Sequence, residues 1–263
     1  MNKVLLSLTL ALMAGVSFAD VQLLYPVEEV VRVGGSMEIA LGEVSPGQSF
    51  QVRVSRDSVQ SRDEWDTLRV DGLPGDWALS VSPVGVEPLT ATITLPLDPA
   101  YRNESFTVSA VDTDGQIASQ PVSVSVTVSR GLMNYSLEDA SASINQGSST
   151  SFTLRVLNES IAPDRVLIQS TLPVSWFIPM EVEVPAQGEK VVELSVSPLA
   201  SGERPFKFRV QSILSEEYKD LDALVTARTT LEGAMSPTTQ GPLVFPTPLA
   251  PFYYLMEWLS SFI

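Results

Sequence analysis

The chain of 263 residues contains no cysteine and no histidine. Disulfide staples, thiolate nucleophiles and every Ser-His or Cys-His catalytic pair are thereby excluded, as are metal sites built on sulfur or imidazole. Positive charge is scarce as well: 16 Lys and Arg stand against 31 Asp and Glu, a formal net charge of −15. A phosphate backbone is held by clustered basic side chains, and no such cluster occurs, so nucleic acid is not an expected partner. The acidic excess reads first as a solvated face. What chemistry is left belongs to carboxylates, lysine, tyrosine or a bound ion, and no cofactor is expected.

What the chain does have is a phrase that occurs twice. Leu73-Pro74-Gly75-Asp76-Trp77 returns as Leu172-Pro173-Val174-Ser175-Trp176, the tryptophans 176 − 77 = 99 residues apart. Alternating apolar residues repeat around it: Phe50, Val52 and Val54 answer to Phe152, Leu154 and Val156, and Ala91, Ile93 and Leu95 to Val192, Leu194 and Val196. Further on, Phe106 and Val108 answer to Phe206 and Phe208, and Val122, Val124 and Val126 to Leu221, Ala223 and Val225. Alternation is the mark of a half-buried strand, and a period of about 100 residues is the size of an immunoglobulin-like sandwich. The fold expected is therefore all-β, two tandem immunoglobulin-like β-sandwiches followed by a short apolar C-terminal helix.

Residues 1–19 read as an export signal, with Lys3 before a short apolar core and Ser17 and Ala19 at the cleavage positions. The protein is therefore expected outside the cytoplasm, at the cell surface or peripheral to a membrane. The first sandwich is assigned to residues 20–130 and the second to 131–228. Residues 21–33 have no counterpart in the second repeat and are expected to add an edge strand. Three extra residues in the first repeat place an insertion within residues 56–71. Residues 229–251 form a polar, proline-rich linker. Residues 252–263 can form a helix with Phe252, Leu255, Met256, Leu259 and Ile263 on one stripe and Trp258 at its edge. Twelve residues are too few to cross about 30 Å of hydrocarbon. They are read as lying in a membrane interface or docking into a membrane or surface protein, in preference to folding back onto the second sandwich.

The Leu-Pro-x-x-Trp phrase, the turn Val184-Pro185-Ala186-Gln187-Gly188-Glu189, the alternation Val192-Glu193-Leu194-Ser195-Val196 and the entry Gly202-Glu203-Arg204-Pro205-Phe206-Lys207-Phe208 resemble the immunoglobulin-like repeats associated with alpha-galactosidases in secreted archaeal and bacterial proteins. The first repeat follows the same pattern more loosely. The resemblance implies a seven-stranded sandwich with a non-catalytic spacing, display or adhesion role, and no particular ligand.

Leu73, Pro74 and Trp77, with Leu172, Pro173 and Trp176, are read as a repeated corner whose indoles plug the two cores rather than stack on sugar. Trp65 has no partner in the repeat and stands among Arg62, Asp63, Glu64 and Asp66. This loop is open to a packing role or to binding a glycan, which gives the rival reading of a carbohydrate-binding accessory module. Asp112-Thr113-Asp114-Gly115 lacks the later ligands of a calcium loop and reads as a turn. Asn103, Asn134 and Asn158 each head an Asn-x-Ser sequon and are candidate glycosylation sites. The leading expectation is a non-enzymatic, exported, surface-associated protein held by its tail.

Overall fold

The computed structural model describes residues 21–27, 31–33, 38–56, 65–99, 103–114, 119 and 121–229. The expected export signal, Arg62, Asp63 and Glu64 of the insertion, the expected linker beyond residue 229, and the tail residues Phe252, Leu255, Met256, Trp258, Leu259 and Ile263 lie outside the described residues. Everything described is strand or connection. In the first half run β1 (Val21–Tyr25), β2 (Val31–Val33), β3 (Glu38–Val44), β4 (Ser49–Arg56), β5 (Thr67–Asp71), β6 (Ala78–Val81), β7 (Leu89–Thr94), β8 (Asn103–Val111) and β9 (Val122–Val128). They make two sheets, ordered β2-β1-β4-β7-β6 and β3-β9-β8-β5. In the second half β10 (Met133–Leu137), β11 (Ser141–Asn145), β12 (Thr150–Asn158), β13 (Asp164–Ser170), β14 (Met180–Val184), β15 (Gly188–Val196), β16 (Gly202–Ser212) and β17 (Tyr218–Arg228) make the sheets β10-β12-β15 and β11-β17-β16-β13-β14.

Side chains of alternating strands point to opposite faces, and that alternation is what builds the cores. In β9 the valines are buried while Ser123, Ser125 and Thr127 are half-exposed. Phe50 stands opposite Ile93 and Phe152 opposite Leu194, the same cross-strand pair in both halves. One buried cluster joins both sheets of the first half around Phe50, Trp77 and Phe106. A second joins both sheets of the other half around Phe152, Phe206 and Phe208. Each half also closes one sheet with a parallel pair, β3 on β9 and β11 on β17.

Four details differ from the sequence reading. Residues 21–33 supply two strands rather than one edge, with β1 inside its sheet between β2 and β4. Among the described residues the halves hold nine and eight strands, where the family resemblance implies seven. The strand after the tryptophan corner changes sheets: β6 pairs with β7, but β14 pairs with β13. Trp77 leads directly into β6, whereas Ile178 and Pro179 separate Phe177 from β14.

The fourth difference is a correction to the core of the second half. Trp77 is 8% exposed and meets Phe50 edge-on, with ring centres 6.5 Å apart. Trp176 is only half-buried, and the inward position belongs to Phe177, 4% exposed with its ring 5.3 Å from Phe208. The cause is local. The Pro74 carbonyl accepts the Trp77 N–H at 3.1 Å, but the Pro173 carbonyl accepts both Trp176 N–H at 2.8 Å and Phe177 N–H at 3.2 Å. The second corner therefore winds one residue further, and the next side chain turns inward. Phe177→Ala is expected to cost about 3–5 kcal/mol and Trp176→Ala much less, a contrast that urea unfolding of the two variants measures directly.

Candidate functional site: the joint between the sandwiches

The site begins with three polar side chains where the pattern calls for apolar ones. In β12 the buried register runs Phe152, Leu154, Val156 and ends on Asn158; in β16 it runs Phe206, Phe208, Val210 and ends on Ser212; in β13 it opens on Asp164 before Val166 and Ile168. All three are at most 1% exposed. They gather at one end of the second half's core, and Gln48, at 0% exposure, enters among them from the turn before β4.

Gln48 Nε2 donates to Asp164 Oδ2 at 2.7 Å, and its Oε1 accepts from Ser160 Oγ at 2.6 Å and from the Ser45 amide at 3.0 Å. Asp164 accepts further bonds from Ser212 Oγ at 2.8 Å and from the Arg165 amide at 2.6 Å. Asn158 Nδ2 donates to the carbonyls of Ala162 and Pro185 at 2.8 and 2.9 Å, while its Oδ1 accepts the Ser160 amide at 3.0 Å. Buried polar groups cost least when fully bonded, and this set is closed on itself across the joint. Burial pushes the Asp164 carboxyl above its ordinary value, against the opposing pull of the bonds from Gln48, Ser212 and the amides of Arg165 and Leu214.

Apolar contact completes the seam. Ile161 and Ala162, fully buried, belong to the first sandwich's cluster although they follow β12 in the chain. The Ile161 amide donates to Glu43 O at 2.9 Å and its carbonyl accepts from the Tyr25 hydroxyl at 3.0 Å. Two glycines let the backbones approach this closely. A Cβ on Gly42 would lie 2.7 Å from Ile161 Cγ2, and one on Gly47, where φ is +74°, 2.2 Å from the Leu214 carbonyl. Beside the seam lies a cleft of about 670 Å³ between Leu97, the connection at Arg130 and Gly131, and the β16–β17 turn. Two of its charges bond within the second half: Glu217 accepts the Gly131 amide at 2.9 Å and Lys219 Nζ donates to the Tyr135 carbonyl at 3.1 Å. Burial raises the Tyr135 phenol well above its ordinary value, with the charges of Asp164 and Glu217 adding to it.

The residues singled out from sequence are distributed as follows. Trp65 is 3% exposed and packed in the first core, so it offers no face to a sugar. An indole is the largest apolar body available to fill the space where β5 begins, and that burial outweighed the charged residues around it. Asp66 accepts a bond from Thr113 at 2.7 Å, tying the two turns together. Leu73 and Leu172 pack against their respective cores, while Pro74 is half-buried and Pro173 exposed. Asn103 is exposed and accepts from Thr127 Oγ1 at 2.7 Å; Asn134 is exposed at the mouth of the cleft. Asn158 is fully buried, and an oligosaccharide on its Nδ2 would take the place of one of the two hydrogens it donates. Among the described residues no group of three or more carboxylates converges on a point that would hold a metal ion.

No known family model and no curated protein matches the chain. Among solved structures it is similar to the D00-D0 domain of intimin, at 14% identity and a TM-score of 0.29, over 79% of this chain and 99% of that one. It is similar to a chimeric titin Z1Z2 functionalized with a KLER exogenous peptide from decorin, at 12% identity and a TM-score of 0.37, over 81% and 98% of the two chains. The fibronectin(III)-like modules of Clostridium thermocellum CbhA align at 13% identity and a TM-score of 0.27, over 80% and 94%. These are loose likenesses, and the architecture above rests on the strand pairing itself.

Two expected outcomes follow from the joint. Gly147 in the second sandwich has φ +80° and open space around its Cβ position, so Gly147→Ala should cost only backbone strain, roughly 1–2 kcal/mol. Gly47→Ala carries the same strain and a collision as well, and should lose about 1–3 kcal/mol more in denaturant unfolding. Asp164→Asn places an amide among donors and should destabilise by about 1–3 kcal/mol at pH 7. Because the folded pKa of Asp164 is raised, its contribution is fullest below its ordinary value of 3.8 and is lost as pH rises through the folded value. The stability difference between wild type and Asp164→Asn should therefore widen as pH falls through that window.

Proposed function

We propose that the chain is a non-enzymatic, exported spacer: two tandem immunoglobulin-like sandwiches, residues 20–130 and 131–228, locked end to end and held to a membrane interface or a membrane or surface protein by residues 242–263. The observation that carries the reading is the joint. A protein meant only to string two binding modules together needs a flexible linker, whereas this one invests two close glycine contacts and a bonded Gln48–Asp164 pair in fixing one sandwich on the other. A fixed joint transmits position, which is what a spacer or display element must do.

The resemblance of both repeats to those associated with alpha-galactosidases agrees with a non-catalytic role. The rival glycan-binding reading used Trp65 and its loop, and the Trp65 indole is buried. In a host that glycosylates exported proteins, Asn103 and Asn134 are the sequons able to carry sugar without disturbing the fold, since both are exposed.

Deleting residues 242–263 should move the protein from the membrane or complex fraction to the soluble fraction of its native host, with the circular dichroism of the sandwiches unchanged. Unaltered fractionation would end the tethering reading.

A further inference from the structure

The two sandwiches share a feature at the end from which the chain leaves them. In the first, the turn at residues 45–48 is closed by Gly47 N–H to Pro96 O at 2.9 Å and Gln48 N–H to Ser45 O at 3.2 Å. In the second, the turn at residues 145–148 is closed in the same way, by Gly147 N–H to Pro198 O at 2.9 Å and Ser148 N–H to Asn145 O at 3.1 Å. The first turn is covered: Ser45 and Gln48 are 0% exposed, because the chain that leaves through β9 continues into the second sandwich and packs back over it. The second turn is bare among the described residues, with Asn145, Gly147 and Ser148 exposed.

Beside that bare turn stand three exposed apolar side chains. Val174 is 70% exposed, Ile178 75% and Leu199 45%, and half-buried Trp176 lies between the first two. Hydrogen bonds hold these pieces at one end: Ser197 N–H to Trp176 O at 2.9 Å, Gln146 Nε2 to Leu199 O at 2.8 Å, and Gln146 N–H to Arg228 O at 2.9 Å. The last of these marks where the chain departs for residues 229–263. The corresponding corner of the first repeat carries Gly75 and Asp76 where the second has Val174 and Ser175, while Leu79 and Leu97, the counterparts of Ile178 and Leu199, are 41% and 53% exposed; Val174 is thus the apolar addition of the second.

We propose that residues 252–263 dock on this end, covering Val174, Trp176, Ile178 and Leu199, and that this stows the tail until a membrane or partner takes it. The occupant is argued from three facts. The equivalent end of the first sandwich is covered by the chain that emerges from it. The tail is attached at this end by the linker 229–251, which in extended form reaches on the order of 75 Å and holds the tail at an effective concentration on the order of millimolar. Its stripe of Phe252, Leu255, Met256, Leu259 and Ile263 has the apolar chemistry that the exposed patch can bury, with Glu257 alone bearing side-chain charge in those twelve residues. Stowage rests on the tail being the tether, and adds a resting place for it.

The test is amide hydrogen exchange on the full mature chain and on a Val174→Ser/Ile178→Ser variant, whose two sites are already solvent-facing, so that near-UV circular dichroism and the unfolding midpoint should hold. The expected result is that amides of residues 252–263 exchange at least tenfold faster in the variant. Removal of residues 242–263 should likewise speed exchange at residues 174–178. Equal exchange of the tail in wild type and variant would overturn the proposal, as would protection of the tail only on adding phosphatidylcholine vesicles or a host membrane extract. The membrane fractionation of the variant separates the two ideas: a tether without stowage leaves exchange unchanged and fractionation intact, whereas stowage without a tether gives the exchange difference in a protein that never fractionates with membranes.

Discussion

A carboxylate with no cation bonded to it among the described residues, buried where the two halves of the chain meet, is the constraint on which the rest depends. Asp164 is 1% exposed and is held by Gln48, Ser212 and backbone amides. Taking such a group out of water costs several kcal/mol unless its acceptor sites are filled. Gln48 fills one of them from the other sandwich, and only when the two halves stand in one arrangement. Breaking the joint would leave Asp164, Ser160 and Gln48 each short of a partner. The polar cluster therefore acts less as an adhesive than as a selector of geometry, while Ile161 and Ala162 inside the first core supply the apolar burial that holds it shut.

Around this joint the two halves have diverged from a common pattern in ways that follow from a few residues. β1 lies on β4 as β10 lies on β12, so it is β2 beyond β1 and β6 beyond β7 that widen one sheet of the first half to five strands, whereas the corresponding sheet of the second half has three among the described residues. The transfer of β14 to the other sheet leaves β15 as a nine-residue edge. Open edges invite pairing with other chains, and charge is a common defence. Here Glu189, Lys190 and Glu193 lie along that strand, exposed, with Glu189 tied to Arg155 at 2.5 Å.

Much of this was legible in the sequence. The strict alternation of Val122, Val124, Val126 and Val128 announces a strand with one buried face, and the register of Phe50 with Phe152 survives in the pairing to Ile93 and Leu194. The corner was harder. Two Leu-Pro-x-x-Trp phrases look alike, but one further hydrogen bond to Pro173 O moves Phe177 into the place that Trp77 takes. Such a choice between adjacent large residues is settled by backbone winding, which composition does not record. Trp65 was misleading for a related reason, since its charged neighbours describe the chain around it and not the direction of its ring. The joint left a readable trace: Asn158, Asp164 and Ser212 each occupy a core-facing position in strands otherwise apolar on that face. Gln48 left none, because a turn has no periodicity against which a polar residue stands out.

The bonded joint predicts that the two halves keep one fixed separation. The absence of cysteine makes it directly measurable, because a single engineered pair can be spin-labelled without background. Labels at Ser105→Cys in β8 and Glu193→Cys in β15, both exposed positions, report the separation of the halves by pulsed electron resonance. A single narrow distance distribution, unchanged by ionic strength, is the predicted result. A broad distribution of the kind two domains on a flexible link produce would contradict it.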